Sequence, residues 1–149
     1  MKALESSYLE IFAKQIFNDL KSDEALTLNF TGEETLFSRL SKAKVRQVTN
    51  LQQAFIDFVF VKGNKVLTFN MPFRANESDV TLAIKKLNQS REWIAALPED
   101  PYLVRPKFYG VTKEENLNQL PKNEDMMGQV LDIAGNVDLA GVFSSGDVV

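Results

Sequence analysis

The feature that most constrains the fold of this chain is a run of strand-forming sequence from residue 36 to residue 71. Residues 54–61 (AFIDFVFV) are apolar on both alternating faces, which is typical of a central strand covered on both sides. Gly63 and Asn64 follow, and both tolerate the positive φ angles of a two-residue hairpin loop. Residues 66–71 then return as the next strand, and Pro72 ends it because proline has no N–H to donate.

Three shorter strands are predicted before this hairpin. Residues 25–31 alternate, with Leu26, Leu28 and Phe30 on one face, and Gly32 is expected to end the strand. Residues 36–40 form a short strand, residues 41–43 a turn, and residues 44–50 the next strand.

Helices flank these strands in the sequence. An apolar stripe at spacings of three and four predicts a helix over residues 4–21. A second helix over residues 77–97 has Asn76 as its N-cap and stops at Pro98. A third is expected to be capped by Asn123 and to end at Gly135.

The remaining segments are an extended, proline-containing stretch at residues 98–121 and a last strand at residues 137–143. We therefore predict one α+β domain over residues 1–149, with a mainly antiparallel mixed sheet of four to six strands and two or three packed helices. The side chains expected in the core are Leu28, Phe55, Phe58, Phe60 and Phe69.

The composition excludes several kinds of site. The 149 residues include no histidine and no cysteine, so the chain has no imidazole base, thiol nucleophile, thiolate metal ligand or disulfide. We accordingly predict no catalytic, cofactor-binding or metal-binding residue and no peptidase activity for this chain alone. The net charge of −3 disfavours nonspecific nucleic-acid binding. No apolar run is long enough to span a membrane, and we expect a soluble, cytoplasmic protein.

Two kinds of motif suggest chemistry but are better explained structurally. Ser144 and Ser145 precede Gly146, yet the surrounding sequence does not match the nucleophile elbow and offers no histidine base. We interpret it as a glycine-rich turn. The acidic pairs at residues 33–34, 99–100 and 124–125 are adjacent residues at turns or helix starts, where solvated or capping roles are the expectation.

Four basic residues form the one candidate contact site. Lys42, Lys44 and Arg46 alternate, so they share one face of a strand, and Arg39 lies on the neighbouring strand. They could contact an anionic partner or a peptide backbone. The alternative is the solvated face of an antiparallel sheet.

The order of elements and three groups of residues resemble the amino-terminal domain of the TldD/PmbA family, which comprises zinc metallopeptidases and related proteins called modulators of DNA gyrase. The similarity covers most of the chain. The first group is Glu33, Glu34, Phe37, Arg39, Val45, Arg46, Gln47 and Gln53; the others are residues 97–102 (LPEDPY) and residues 138–146 (DLAGVFSSG).

The resemblance implies a noncatalytic role. The family's zinc-binding H-E-x-x-x-H signature has no match in this chain. The resemblance therefore implies that zinc would belong to a missing part of a longer parent protein. In the PmbA-like branch of the family, that part lacks the signature as well. The resemblance thus implies a domain that helps to assemble a homo- or heterodimer and forms walls of a peptide-binding chamber. The alternative is an independent protein- or peptide-binding adaptor module.

The end of the chain carries an apolar tail. Its members are Val137, Leu139, Val142, Phe143, Val148 and Val149. Because unpaired apolar strands are templates for pairing, we expect this tail to join the domain's own sheet or to contact another copy. The alternative is a frayed terminus beyond about Phe143.

Overall fold

The computed structural model describes residues 6–104, 112, 114, 121–135 and 137–148. In chain order the elements are α1 (Ser6–Asn18), β1 (Glu24–Ser41), β2 (Lys44–Lys62), β3 (Lys65–Pro72), α2 (Glu77–Trp93), a 3₁₀ turn (Ile94–Ala96), α3 (Asn123–Ala134) and β4 (Gly141–Val148).

The four strands form one sheet in the order β3-β2-β1-β4. β3 pairs antiparallel with residues 55–62 of β2, and β4 pairs antiparallel with residues 33–40 of β1. The predicted α+β fold with an antiparallel sheet is confirmed, and β2 is an interior strand as expected. Gly63, with a φ of 60°, and Asn64 form the predicted loop between β2 and β3.

The described residues belong to two compact units. Unit 1 comprises Met1–Gly32 and Gln53–Lys107, and unit 2 comprises Glu33–Gln52 and Phe108–Val149. β1 and β2 each continue from one unit into the other. The expectation of a single domain over residues 1–149 stays a prediction.

Unit 1 contains an aromatic and aliphatic core. Helix α1 supplies Phe12 and Ile16 from its apolar stripe, and α2 supplies Ala83 and Leu87. The strand contributions include Ile56, Phe58, Phe60 and Met71. Phe73 lies at the centre of a ring cluster, with its ring centroid 5.3 Å from that of Phe12 and 5.6 Å from that of Phe30. Such edge-to-face pairs add stabilisation beyond the burial of apolar area.

The predicted core is largely right but is wrong at Phe55. Phe58 and Phe60 are fully buried, and Leu28 and Phe69 pack against the core as partly buried side chains. Phe55 is 41% exposed because it alternates with Ile56, Phe58 and Phe60 and so lies on the opposite face of β2. That face is only partly covered, so the expectation that residues 54–61 are covered on both sides is also wrong.

The strands are longer than predicted. Gly32 does not end a strand: it is buried inside β1, which merges the predicted strands at residues 25–31 and 36–40. Likewise, the predicted strands at residues 44–50 and 54–61 are one 19-residue strand, β2. Gly32 takes an extended conformation there and is not among the glycines with a positive φ, which are Gly63 and Gly135.

Helix α2 begins as predicted. The Asn76 side chain accepts a hydrogen bond from the Ser78 N–H at 3.0 Å, and the Asp79 side chain accepts one from the Asn76 N–H at 3.1 Å, forming a capping box. The α-helix ends at Trp93, and the 3₁₀ turn completes the predicted helical span to Ala96. Helix α1 ends at Asn18, whereas the predicted helix continued to residue 21. Residues 4 and 5 of the predicted helix lie outside the described residues.

The predicted cap of the third helix is wrong by one residue. Lys122 is the N-cap of α3 and makes no side-chain capping bond, whereas Asn123 is already helical. A backbone hydrogen bond from the Met126 N–H to the Lys122 carbonyl closes the first turn instead. Most of residues 98–121, predicted to be an extended surface segment, lie outside the described residues.

The last strand is shifted toward the end of the chain. β4 covers Gly141–Val148 rather than residues 137–143, and it pairs with β1 as far as the Val148–Glu33 pair. The tail therefore joins the chain's own sheet, which confirms that expectation and rules out fraying from Phe143 to Val148. Leu139 lies outside the strand, where its carbonyl accepts a hydrogen bond from the Ala43 N–H at 3.1 Å.

Candidate binding surface

The four predicted contact residues lie at the tip of the β1–β2 hairpin in unit 2. The two-residue loop consists of Lys42 and Ala43, whose φ angles are 53° and 49°. Positive φ at both central residues is what a tight hairpin loop with the sheet's twist requires, and it is costly for residues other than glycine. The Ala43–Leu139 backbone hydrogen bond holds this loop in place.

Arg39, Lys42, Lys44 and Arg46 are all exposed. Arg46 donates from Nε to the carbonyl of Ser41 at 3.2 Å, which holds its guanidinium near the loop. Within the described residues, Arg39, Lys42 and Lys44 have neither an ion pair nor a hydrogen bond from their side chains. The hairpin thus places these cations on one short segment, and their contact with a partner stays a prediction.

A shallow hollow lies beside the loop in unit 2. It is lined by Lys42, Ala43, Gly135, Val137 and Asp138. Asp138 is exposed and is the acidic residue in this lining. The hollow therefore combines one cation, one anion and backbone groups, a composition that does not select a particular ligand.

Beyond the loop, β2 presents an exposed strand. We define the β2 edge as residues 44–52, the part of β2 that lies in unit 2. β3 pairs with β2 only over residues 55–62, and among the described residues no strand pairs with the β2 edge on the side away from β1. Every residue from 44 to 50 is exposed, including Val48 at 56%.

The two faces of the β2 edge differ in chemistry. Because side chains alternate along a strand, Lys44, Arg46 and Val48 share one face and Val45, Gln47 and Thr49 share the other. The Gln47 Nε2 donates to the Thr49 hydroxyl at 3.3 Å, as expected for side chains on the same face. One face therefore carries two cations followed by an apolar side chain.

A second concentration of charge lies in unit 1, and sequence reasoning missed it. Arg91 of α2 donates from Nε and Nη2 to the Glu24 carboxylate, from Nη1 to Asp19 and Asn88, and from Nη2 to the Asp19 carbonyl. The Glu24 side chain is fully buried, and that of Arg91 is 12% exposed. Residues separated by 67 and 72 positions meet here, and no local spacing in the sequence signals such a contact.

These contacts shift two pKa values. Burial would raise the pKa of the Glu24 carboxyl, but hydrogen bonds from Arg91 and from the Lys21 N–H outweigh it, so the pKa lies below its ordinary value. The Glu24 carboxylate raises the pKa of Arg91 in turn. The pair is therefore ionised at neutral pH.

A cleft next to this cluster is lined by residues of the β2–β3 hairpin and of the 3₁₀ turn, among them Lys62, Lys65 and Ala95, and by Glu99, which follows that turn. Lys62 forms an ion pair with Asp23 at 3.2 Å, and the Lys65 Nζ donates to the Ala95 carbonyl at 2.7 Å. Lys62 and Lys65 therefore already have partners within unit 1, so we interpret the cleft as a structural contact between these elements and not as a ligand site.

The serine and acidic residues considered for catalysis lie within strands or in the first turn of a helix. Ser144 and Ser145 lie within β4, opposite Phe37 and Leu36, rather than in the predicted turn. Glu33 and Glu34 are strand residues of β1, and Glu124 and Asp125 lie in the first turn of α3. In the described part of the chain, no group of three or more acidic residues could hold a metal ion.

None of the helices in the described residues is both long and apolar enough to cross a membrane.

A scan against protein-family models and a search of curated proteins give no match. A search of solved structures finds a protein from Thermotoga maritima, described as a proposed modulator of a DNA gyrase. Its fold matches with a TM-score of 0.61 at 14% sequence identity, over 94% of this chain. The chain spans about a third of that protein, 33% of its length. At this identity the similarity establishes a common fold.

Proposed function

We propose that this chain is the noncatalytic amino-terminal domain of a TldD/PmbA-like zinc metallopeptidase or related protein. The observation that carries the proposal is the fold match to the proposed gyrase modulator, which includes nearly all of this chain and a third of the other. The residues of the sequence resemblance, from Glu33 to Gln53 and from Leu97 to Tyr102, point to the same group. The sequence pattern and the fold both support this proposal.

The absence of histidine and cysteine limits what this domain can do in such a protein. Hydrolytic zinc sites are normally built with imidazole or thiolate ligands. Zinc and the general base would therefore come from the remainder of the parent protein. This domain would contribute to a homo- or heterodimer and to the walls of a chamber that admits peptides.

Within the domain, unit 2 offers the surface for that role. Its hairpin carries Arg39, Lys42, Lys44 and Arg46 in exposed positions, and the β2 edge continues from them. Cations can bind carboxylates of a peptide, and a strand edge can bind its backbone. Unit 1, in contrast, uses Arg91 and Lys62 in internal ion pairs.

The test compares the full-length parent protein with a version that lacks residues 1–149. We expect the intact protein to sediment as a dimer and the truncated protein to lose that assembly. If the parent has the zinc signature, chelator-sensitive cleavage of unfolded peptides should also require residues 1–149. An unchanged assembly state after truncation would overturn the proposal.

The alternative function is an independent adaptor module that binds proteins or peptides. The exposed β2 edge favours it, because strand edges serve as peptide-binding sites in many adaptor domains. A parent reading frame with neither an intact nor a degenerate H-E-x-x-x-H after this region would support the adaptor over the peptidase-linked domain.

A further inference from the structure

The β2 edge retains hydrogen-bonding capacity along its outer side. In an antiparallel sheet, alternate residues of an edge strand direct their N–H and C=O groups away from the neighbouring strand. β3 satisfies those groups only from Phe55 onward, and the Phe73 N–H adds one bond to the Ala54 carbonyl. Over residues 44–52, no described strand takes up this capacity.

Features that usually protect an edge from pairing are few in this segment. Proteins blunt strand edges with charged side chains, lysine above all, with proline, with bulges or with very short strands. Residues 44–52 (KVRQVTNLQ) contain no proline and no glycine, and they belong to a strand of 19 residues. Their two charges, Lys44 and Arg46, both lie at the hairpin end, so residues 47–52 carry no charge that would oppose pairing. The segment is therefore suited to accept another strand.

The charge of the segment indicates what kind of strand it accepts. It carries two positive and no negative side chains, while the chain as a whole has a net charge of −3. Lys44 and Arg46 lie on the same face, so a paired strand would set residues at two alternate positions opposite them. Opposite charges directly across a ladder are favourable, and like charges are unfavourable.

We propose that the β2 edge binds an extended acidic peptide by adding it as a further strand, with carboxylates at two alternate positions facing Lys44 and Arg46. Backbone hydrogen bonds supply affinity along residues 44–52, and the hairpin cations select the acidic end. Val48, on the same face, contacts an apolar side chain two positions beyond the carboxylates. The inference rests on the surface assigned to unit 2 above and does not require the link to a metallopeptidase.

The test uses dye-labelled eight-residue peptides and fluorescence anisotropy. One probe has Glu at positions 2 and 4 with Thr and Val elsewhere, and a second has Lys at those two positions. We expect the Glu probe to bind at least about tenfold more tightly, a preference of the size that two cross-strand charge pairs provide. N-methylation of alternate amides in the Glu probe should abolish binding, because it removes the backbone donors.

Charge-reversal variants locate the site. The double variant Lys44→Glu and Arg46→Glu should reverse the preference, so that the Lys probe binds better. The matched control is Lys14→Glu with Lys85→Glu, two exposed residues of α1 and α2, and it should retain the preference for the Glu probe. Thermal unfolding of each variant verifies that the fold is kept, and retention of binding to the Lys probe shows that the edge is intact.

Hydrogen exchange provides the direct readout. The Glu probe should slow amide exchange within residues 44–52 and leave β3 unchanged. Equal binding of both probes, or protection that falls outside this segment, would overturn the proposal. Protection of residues 44–52 that grows with protein concentration and without peptide would also overturn it, since a second copy would then occupy the edge. A variant that loses peptide binding but keeps the parent's assembly separates this result from the proposed function.

Discussion

Units 1 and 2 use the same two long strands in opposite ways. In unit 1, β1 and β2 place Phe30, Phe58 and Phe60 in a continuous core with α1 and α2. In unit 2, the described residues that are buried and apolar are Leu40 and Ala134, and β2 is exposed at every position from 44 to 50. Charges follow the same division, since Arg91 is fully bonded in unit 1 while Lys44 of unit 2 is exposed and unpaired among the described residues.

This comparison indicates that unit 1 mainly stabilises the fold, whereas unit 2 exposes surface that is available for binding. Burial of apolar area is the main favourable term in folding, so unit 1 should provide most of the stability. Exposed strand surface and unpaired cations contribute little to folding and are available for binding. The predictions below test whether stability and exposure separate in this way, from the largest effect to the smallest.

The largest difference is expected between Phe58→Ala and Val48→Ala. Phe58 is fully buried in unit 1, and its ring stacks on Phe69 with centroids 4.4 Å apart. Its removal leaves a cavity and should lower the free energy of unfolding by about 4 kcal/mol. Val48→Ala, at an exposed position of β2, should change it by less than about 0.5 kcal/mol. Urea unfolding followed by circular dichroism measures both, and equal losses would contradict the division.

Arg91→Met should be the next most damaging change. It leaves the fully buried Glu24 carboxylate without its main partner, which should cost about 3 kcal/mol. Lys85→Met, at an exposed position of the same helix, is the matched control and should have little effect. Adding Glu24→Gln to Arg91→Met should recover part of the loss, because the unpaired charge is then gone; no recovery would contradict a role for that charge.

The same pair predicts a pH dependence. The pKa of Glu24 is lower in the folded state than its ordinary value of 4.5. The unfolded chain therefore binds a proton first as the pH falls, so this contribution is complete above about pH 4.5 and is lost as the pH falls through the folded pKa. Glu24→Gln should lack this part of the acid sensitivity in unfolding experiments between pH 3 and 7.

Gly146→Ala tests the pairing of β4 in unit 2. A Cβ at this position would collide with the Glu34 carbonyl oxygen and lie 2.7 Å from the Thr35 Cα, so the backbone of one strand must shift. We expect a loss of about 2 kcal/mol, seen as faster amide exchange in residues 33–40 and 141–148 with unit 1 unchanged. Gly141→Ala meets nothing within 4 Å and serves as the control. Equal effects would show that β4 tolerates the shift.

The smallest contrast concerns the helix caps. Asn76→Ala removes the capping bond of α2 in unit 1 and should cost about 1 kcal/mol. Asn123→Ala in unit 2 should cost less than about 0.5 kcal/mol, because Asn123 lies inside α3 and does not cap it. Thermal unfolding of both variants decides between this assignment and the cap predicted from the sequence.

Much of the architecture could be predicted from local patterns. Alternation placed Leu26, Leu28 and Phe30 toward the core, and Gly63 with Asn64 located a hairpin. At Gly32 a local turn signal competed with pairing between distant segments, and the glycine continues β1. Phe55 is a different case, because alternation itself sets it opposite the buried Ile56, Phe58 and Phe60, on a face of β2 that is only partly covered. For the candidate site, the sequence identified the four basic residues but not that the outer side of residues 44–52 has no partner strand among the described residues.

What the sequence by itself determined is which segments are helical and which are extended, and the absence of imidazole and thiol chemistry, because periodicity, turn residues and composition act locally. Tertiary structure alone decided that Arg91 meets Glu24, that β4 pairs with β1 up to Val148, and where β3 ends against β2. These outcomes depend on which distant segments lower the free energy most when they pair, and on which charges are buried together. Both are set by free-energy differences between whole arrangements of the chain, so they cannot be deduced from any short stretch of sequence.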